Sequence, residues 1–389
     1  MKRAWVLPVV LAATSALVAA CGGGSADSGS TGSSGASSGA SSTGNAGVEA
    51  AKAYLATRIG NPTTIELSAP LSKKPDTGKL LVKLVTPQPV TGVVSDGTKA
   101  AAEAIGWSYK AIPVEPTAEG IQKAFQAALE LKPAPAAIEV SGYPKVTFAA
   151  QLAEAKKRGI GVISESTTDA PGTGDGIVAL IDGPPQVQLW GKDIAAEVIA
   201  DSDGTAQVAL FSVSAYPILG EFVKGFKDAM TEWCPSTCSV TDADQQATDI
   251  GTKTPSSVVS TLQRNPKIKY AVFSFGDMTI GVNAAIASAG LTDKVKVAGE
   301  TPTVANLKAV KEGKELAWTG FAAPVLGWRT VDAAARFVNG EDMAPASSTP
   351  LPTQVITKEN VDSIVTDSTG YYVGLQEYPS LFKKLWQVS

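Results

Sequence analysis

The sequence contains no histidine. Histidine is the commonest general base in enzymes and the commonest protein ligand of transition metals, so its absence removes the usual chemistry of both kinds of site. Once the cysteines are accounted for, a zinc or copper site would have to be built from carboxylates alone. We therefore expect no metal, no other cofactor and no catalytic residues.

Cysteine is scarce, with three residues in the chain. Cys21 directly follows a leader-like segment, which leaves Cys234 and Cys238 in the run Trp-Cys-Pro-Ser-Thr-Cys-Ser. An exported protein meets an oxidising compartment, where a disulfide between two such cysteines is the default. The alternative is a redox pair, but the three intervening residues do not match the Cys-X-X-Cys spacing of such pairs.

Basic clusters and long apolar runs are also missing from the body of the chain. The formal net charge is −4, and the charged residues are scattered without the basic stripe typical of nucleic-acid binders. We predict no nucleic-acid partner. After the first 20 residues, no stretch is apolar and long enough to cross a bilayer.

Motifs of catalysis and nucleotide binding are absent or lie in the wrong context. No Gly-x-x-x-x-Gly-Lys-Ser/Thr sequence occurs. Residues 35–39 match Gly-x-Ser-x-Gly but lie in a glycine- and serine-rich segment, without the flanking strand and helix that a nucleophile elbow requires. The glycine-rich run 172–176 follows Pro171 and does not open a helix, so we interpret it as a loop. These observations predict a protein that is not an enzyme.

Residues 1–21 have the pattern of an export signal. Lys2 and Arg3 precede an apolar run that ends in Val-Ala-Ala before Cys21. This arrangement resembles a bacterial lipobox, in which the cysteine is lipidated and becomes the first residue of the mature protein. A single membrane-spanning helix is the alternative, since the run approaches the length needed to cross a bilayer.

Residues 22–46 are almost entirely glycine, serine, alanine and threonine. Such a segment buries too little apolar surface to offset its chain entropy, so we predict a flexible tether. A tether behind a lipidated cysteine would hold a body of roughly 340 residues at the membrane, which is enough for two domains. We therefore predict a location in the cell envelope, outside the cytoplasm and anchored by lipid.

From residue 79 onward, short apolar runs alternate with amphipathic segments. Thr117, for example, is the predicted N-cap of a helix over 117–131. This alternation indicates βαβ units with parallel sheets, arranged as two similar Rossmann-like lobes. We predict a lead segment at 47–78, a first lobe from 79–184 plus about 322–352, and a second lobe from 185–321 plus 353–389. Ligands of open parallel sheets bind beyond the carboxyl ends of the strands, here in a hinged cleft between the lobes.

Several segments in order resemble the ribose-type (type I) periplasmic solute-binding proteins of ABC importers. The resemblance covers roughly residues 79–345. Its segments are Asp96-Gly97, Ile105-Gly106-Trp107, the run 149–163, Gly191-Lys192, Gly225-Phe226, Asp277-Met278, and Val297-Ala-Gly299 with the following Ala309-Val-Lys-Glu-Gly-Lys.

The resemblance implies a function as well as a fold. A monomer of this family would capture a small molecule between its lobes and present it to an ABC permease in the membrane. The ligand would be a sugar by resemblance, or a less polar molecule. The alternative is a ligand sensor whose closed form is recognised by a membrane receptor, because any partner that prefers the closed form can detect closure.

Residues at strand ends and neighbouring loops are the candidate ligand contacts. They depart from the polar pattern of sugar binders: Ser164-Glu165 stands where Asp-Arg is frequent, and Glu300-Thr301 where Phe-Asp is usual. Four aromatic residues at such positions suggest an apolar slot instead, although they could equally be core or hinge residues; they are Trp190, Tyr216, Phe275 and Phe321. The predicted contacts are Gln88, Thr91, Tyr143, Glu165, Ser166, Thr167, Gln186, Trp190, Tyr216, Phe275, Asp277, Thr301 and Phe321.

The tail after residue 352 is rich in aromatic side chains. We predict a helix over 357–365 and expect the aromatic residues to pack on the second lobe. A contact with a partner protein is the alternative, because clustered exposed aromatic residues are rare without a use. The aromatic residues are Tyr371, Tyr372, Tyr378, Phe382 and Trp386.

Overall fold

The computed structural model describes residues 39–171 and 174–389. The predicted leader with Cys21 and the tether up to residue 38 lie outside this part. The first helix, α1, spans Gly39–Ala56, so the tether prediction for 22–46 is wrong at its carboxyl end. Val48 and Ala51 on α1 are buried, and tertiary packing of this kind stabilises a helix whose own propensity is low.

The first sheet has five parallel strands in the order β2-β1-β3-β4-β5. They are β1 Leu80–Val85, β2 Ser108–Pro113, β3 Ala137–Ser141, β4 Gly161–Glu165 and β5 Ile177–Ile181. Helices cover both faces of this sheet, so β1 is apolar along most of its length and almost wholly buried. At the edge, β2 is largely exposed.

The second sheet has six strands in the order β11-β10-β9-β8-β6-β7. They are β6 Gln207–Ser212, β7 Ser239–Asp244, β8 Tyr270–Phe273, β9 Lys296–Glu300, β10 Ala317–Thr319 and β11 Val355–Thr357. Only β11 runs antiparallel to its neighbour. Two mostly parallel sheets confirm the predicted fold class of two Rossmann-like lobes.

Eleven further helices flank the strands. They are α2 Pro89–Ala104, α3 Ala118–Leu129, α4 Ala149–Lys157, α5 Pro184–Asp201, α6 Pro217–Trp233, α7 Thr254–Arg264, α8 Val282–Ser288, α9 Val304–Lys311, α10 Ala323–Asn339, α11 Ala344–Ser348 and α12 Tyr378–Leu385. The predicted N-cap of α3 is confirmed, because the Thr117 side chain accepts a hydrogen bond from the Gly120 amide. None of the helices described has the length and hydropathy needed to cross a membrane.

One closely packed helix pair covers each sheet. In the first lobe α2 lies against α10, where a Cβ at Gly97 would come within 2.4 Å of the Pro324 carbonyl oxygen. In the second lobe α5 lies against α6, where a Cβ at Gly191 would come within 2.2 Å of the Phe222 carbonyl oxygen. Only glycine permits backbones to approach this closely. Because α10 follows the second lobe in sequence but packs on the first, the chain crosses between lobes on either side of it.

The tail prediction is wrong for the last helix. Phe382 and Trp386 of α12 pack on Trp328 of α10, which belongs to the first lobe; the ring centroids of Trp328 and Trp386 are 5.3 Å apart. Tyr372 does lie with the second lobe, beside Gly320 and Gln354. The apolar face of α12 therefore packs on the first lobe, against the Trp328 ring of α10.

The predicted helix over 357–365 is also wrong. Residues 355–357 form β11, and turns follow. The Asn360 side chain accepts a hydrogen bond from the Thr357 amide and donates to the carbonyls of Val355 and Ile59. An asparagine that bonds the local backbone in this way offers it an alternative to the helical ladder.

The predicted disulfide is confirmed. Cys234 and Cys238 are bonded, with their Cα atoms 5.6 Å apart. Cys234 ends α6 and Cys238 directly precedes β7. The bond therefore closes the short connection between these two elements.

Candidate functional site: a cleft between the two lobes

A cleft of about 110 Å³ lies beyond the carboxyl ends of the strands in both sheets. This volume is several times the ~10–15 Å³ that one buried water occupies on the same measure, so a small molecule fits. The first lobe contributes Thr86, Gln88, Val90, Thr91, Val94, Ser141, Gly142, Glu165, Ser166, Asp182 and Leu326. The second contributes Val187, Trp190, Tyr216, Ile218, Leu219, Phe275, Thr301 and Phe321.

Most of the residues predicted from sequence line this cleft. Those that do are Gln88, Thr91, Glu165, Ser166, Trp190, Tyr216, Phe275, Thr301 and Phe321. They meet because the carboxyl ends of parallel strands lie along one edge of each sheet.

Four predicted contacts do not line it. The Gln186 Oε1 atom accepts a hydrogen bond from the Leu351 amide, and an Asp277 carboxylate oxygen accepts one from the Val90 amide. Thr167 is buried beyond the strand end, and Tyr143 packs against the apolar core of the first lobe.

Sequence reasoning missed several lining residues. Asp182 directly follows β5, and Ser141 and Gly142 lie at the end of β3. The rule that selected Glu165 at the end of β4 would have found them too. Val187 and Leu326 lie on helices, and nothing in their sequence context distinguishes them from core positions.

Asp182 lines the cleft directly after β5, and its own backbone and that of two other lining residues are strained. Its carboxylate accepts hydrogen bonds from the Ser166 amide at 2.7 Å and the Ser166 hydroxyl at 2.6 Å. Asp182, Ser166 and Thr301 all have φ between 50° and 57°, a region that non-glycine residues rarely adopt. Such strain persists only where the surroundings impose it, and it concentrates at functional sites. Burial, then the nearby Glu165, raises the pKa of Asp182 to about 7.

A buried ion group underlies the first-lobe side of the cleft. The Lys83 ammonium lies 2.6 Å from Glu139 Oε1 and also contacts Glu165. Burial alone would lower the pKa of Lys83, but the two carboxylates outweigh burial and raise it. Burial and repulsion by Glu165 raise the pKa of Glu139, so this carboxyl holds a proton more readily than its neighbour. Glu165, predicted as a ligand contact, is thus already bonded within the protein through its Oε1 atom.

Aromatic rings form the opposite side. Trp190 and Phe321 meet edge to face, with ring centroids 5.4 Å apart. Trp190 is only 3% exposed, and its indole Nε1 has no hydrogen-bond partner. A buried donor without a partner carries a desolvation cost that a bound acceptor would relieve.

Two hydrogen bonds join the lobes beside the cleft. Gln88 Nε2 donates to the Tyr216 hydroxyl at 2.5 Å, and the Val90 amide donates to Asp277 at 3.2 Å. Both donors lie where β1 leads into α2, and both acceptors belong to the second lobe. These bonds hold the two lobes together around the cleft.

Replacing Tyr216 with phenylalanine should favour the open form. The change removes the acceptor of the Gln88 bond, and a net loss of about 0.5–1.5 kcal/mol lowers the closed-to-open ratio roughly two- to tenfold. Energy transfer between dyes placed on the two lobes measures this ratio. Tyr109→Phe is the matched control, because the Tyr109 hydroxyl bonds Ser95 within the first lobe. An unchanged distance distribution in Tyr216→Phe would contradict the assignment.

The ionisable side chains that line the cleft are Glu165, Asp182 and Tyr216. In the part of the chain that the structure describes, no group of three or more histidine, cysteine or acidic side chains is placed to hold a metal. The side chains that line the cleft include no cysteine, histidine, lysine or arginine. The arrangement is suited to binding.

Comparisons with known proteins agree with this architecture. A solute-binding protein of an ABC transporter from Agrobacterium vitis, solved with α-D-tagatopyranose, has a TM-score of 0.64 and 21% identity, covering 76% of this chain and 99% of that chain. A solute-binding protein of an ABC transporter from Bacillus halodurans C-125, solved with bound myo-inositol, has a TM-score of 0.63 and 20% identity. The match covers 74% of this chain and 97% of that chain. The glucose-galactose binding protein GanP from Geobacillus stearothermophilus has a TM-score of 0.63 and 19% identity. The match covers 73% of this chain and 99% of that chain. At these identities the likeness shows the fold.

The sequence itself carries the family assignment. No curated protein sequence matches the chain, but the profile of the periplasmic binding protein domain matches residues 85–342. That range contains both sheets except β11 and all of β1 but its last residue, Val85. The chain belongs to the periplasmic binding protein domain family, whose members are non-enzymatic solute-binding proteins of ABC transporters.

Proposed function

We propose that the protein captures a small molecule in the cleft between its lobes and delivers it to an ABC permease in the membrane. The observation that carries this proposal is the cleft itself: both lobes line it, and hydrogen bonds from Gln88 and Val90 join the lobes beside it. A ligand held by both lobes favours the closed form, and a permease can recognise that form.

The proposal extends to location and assembly. Lipidation of Cys21 would hold the protein at the outer face of the cytoplasmic membrane as a monomer. One acyl chain anchors only marginally, so the physically reasonable form carries more than one. The segment behind the cysteine, up to α1, would act as the spacer.

The ligand contacts proposed from sequence and position come from both lobes. They are Gln88, Thr91, Glu165, Ser166, Trp190, Tyr216, Phe275, Thr301 and Phe321, with Asp182 added from the structure. The neighbours in fold were solved with a sugar and a cyclitol. Sugars and cyclitols are therefore the first ligands to screen.

A thermal-shift screen of the purified chain tests the proposal. A ligand at about a hundred times its dissociation constant adds about 2.7 kcal/mol of stability, which shifts the melting temperature by several degrees. Val187→Trp should abolish the shift by filling the cleft that Val187 lines. Val146→Trp is the matched control, because Val146 is 79% exposed. A shift that persists in a folded Val187→Trp variant would place binding elsewhere and contradict the proposal.

A further inference from the structure

Hydrocarbon side chains cover most of the cleft surface, and this restricts the ligand that the proposed function allows. Besides the aromatic residues, the lining includes Val90, Val94, Val187, Ile218, Leu219 and Leu326. Apolar side chains of this kind stabilise a bound molecule in proportion to the apolar area it buries. A ligand that matches the cleft therefore presents carbon over most of its own surface.

The polar side chains in the lining are already bonded within the protein. Thr91 donates to the Thr86 carbonyl at 2.7 Å and to the Gln88 carbonyl at 2.8 Å. Ser166 donates to Asp182 at 2.6 Å, and the Thr301 hydroxyl donates to Glu300. A polyol would leave hydroxyls without partners or break these bonds, and each unpaired group costs about 1–3 kcal/mol.

The charges around the cleft disfavour an anion. Its lining contains the carboxyl groups of Glu165 and Asp182 and no lysine or arginine. The Lys83 ammonium, which contacts the lining residue Glu165, is fully buried and also bonded to Glu139. A carboxylate or phosphate on the ligand would face these acids without a free cation to pair with, and an unpaired buried charge is strongly unfavourable.

Two buried side-chain atoms of lining residues remain without a partner, the donor Trp190 Nε1 and the acceptor Glu165 Oε2. The Trp190 indole Nε1 forms no hydrogen bond although the side chain is 97% buried, that is, 3% exposed. Glu165 belongs to the ion group with Lys83, whereas the Trp190 side chain has no hydrogen-bond partner at all, so its indole is a buried donor from which a ligand gains a bond without breaking one. A donor requires an acceptor such as a carbonyl or hydroxyl oxygen.

We infer that the ligand is a small uncharged ring compound with apolar faces and one principal oxygen acceptor, which receives a hydrogen bond from Trp190 Nε1. This inference rests on the proposed function and narrows its ligand class. It separates the ligand from sugars and cyclitols, which carry hydroxyls around the ring, and from aromatic or aliphatic acids. Phe321 packs against Trp190 edge to face and thereby holds the indole in place.

Four six-membered rings test the inference by titration calorimetry with the purified chain. Cyclohexanone carries one oxygen, benzene none, myo-inositol a hydroxyl on every carbon, and cyclohexanecarboxylate a negative charge. We expect cyclohexanone to bind most tightly and the carboxylate and inositol at least about tenfold more weakly, because each leaves polar groups unpaired. Trp190→Phe should weaken cyclohexanone binding about fivefold and leave benzene binding unchanged.

The outcomes separate the inference from the proposed function. Tighter binding of inositol or a hexose than of cyclohexanone would overturn the inferred class and leave capture of a solute intact. An equal loss of cyclohexanone and benzene binding in Trp190→Phe would overturn the role of the indole donor, because only packing would then have changed. If no compound in this series or in the wider screen binds the folded protein, the proposed function fails with it.

Discussion

Replacing Lys83 with methionine is expected to destabilise the fold by about 3–5 kcal/mol at pH 7 to 8, because it leaves two buried carboxyl groups without their cation. Lys83 and Glu139 are fully buried and Glu165 is 1% exposed, so water cannot compensate. Chemical denaturation of the purified chain measures the loss. Replacing Glu139 and Glu165 with glutamine in the same variant should restore most of it.

The deficit should also depend on pH. Without Lys83 the pKa of each carboxyl rises above its unfolded value, so the folded state binds more protons than the unfolded state. Stability of the variant relative to the parent should therefore fall as pH rises from about 5 to 8. Lys123→Met is the control, because the Lys123–Glu119 pair is exposed and should have no measurable effect. A Lys83→Met variant as stable as the parent would show that the ion group is not formed.

Replacing Trp386 with alanine is expected to cost about 3–5 kcal/mol, the usual range for removing a fully buried tryptophan. Its indole lies parallel to Trp328 with an interplanar angle of 5°, and its Nε1 donates to Asp332 at 2.9 Å. Asp332 is also paired with Arg336 at 2.7 Å. The variant therefore loses packing and one bond to a buried carboxylate together.

Thermal and chemical denaturation measure the loss of stability in Trp386→Ala. Two further variants serve as comparisons. Trp386→Phe keeps an aromatic ring over Trp328 and should lose less than half as much stability. Val146→Ala, at a position 79% exposed, should change nothing. If Trp386→Ala has the same melting temperature as the parent protein, α12 does not pack on α10.

Much of the fold could be predicted because buried parallel strands have a recognisable apolar pattern in the sequence. The run Leu80–Val85 is apolar except at Lys83 because both faces of its sheet are covered, and Gly340 ends α10 in a left-handed cap, as a glycine just after a helix usually does. The position of the last helix, α12, could not be predicted in this way. Phe382 and Trp386 share a helix face by their spacing, but spacing does not reveal which lobe that face meets.

The site residues that follow strands could be predicted from the sequence. The contacts among them could not, because they depend on the tertiary structure. Residues within two positions after a strand, such as Phe275 and Thr301, line the cleft as the strand-end rule indicates. The partners of Glu165 were not predictable, because they depend on the strand order that brings β1, β3 and β4 together. The unpaired indole of Trp190 likewise becomes visible only when every neighbouring donor and acceptor is placed.

A crystal structure of the chain with its tightest ligand tests the central claim most directly. We expect density between the lobes, in contact with Trp190 and Phe275 from one side and Asp182 or Thr91 from the other, and with the Gln88–Tyr216 bond formed. Density for the ligand on an outer surface, with the cleft unchanged, would contradict capture between the lobes.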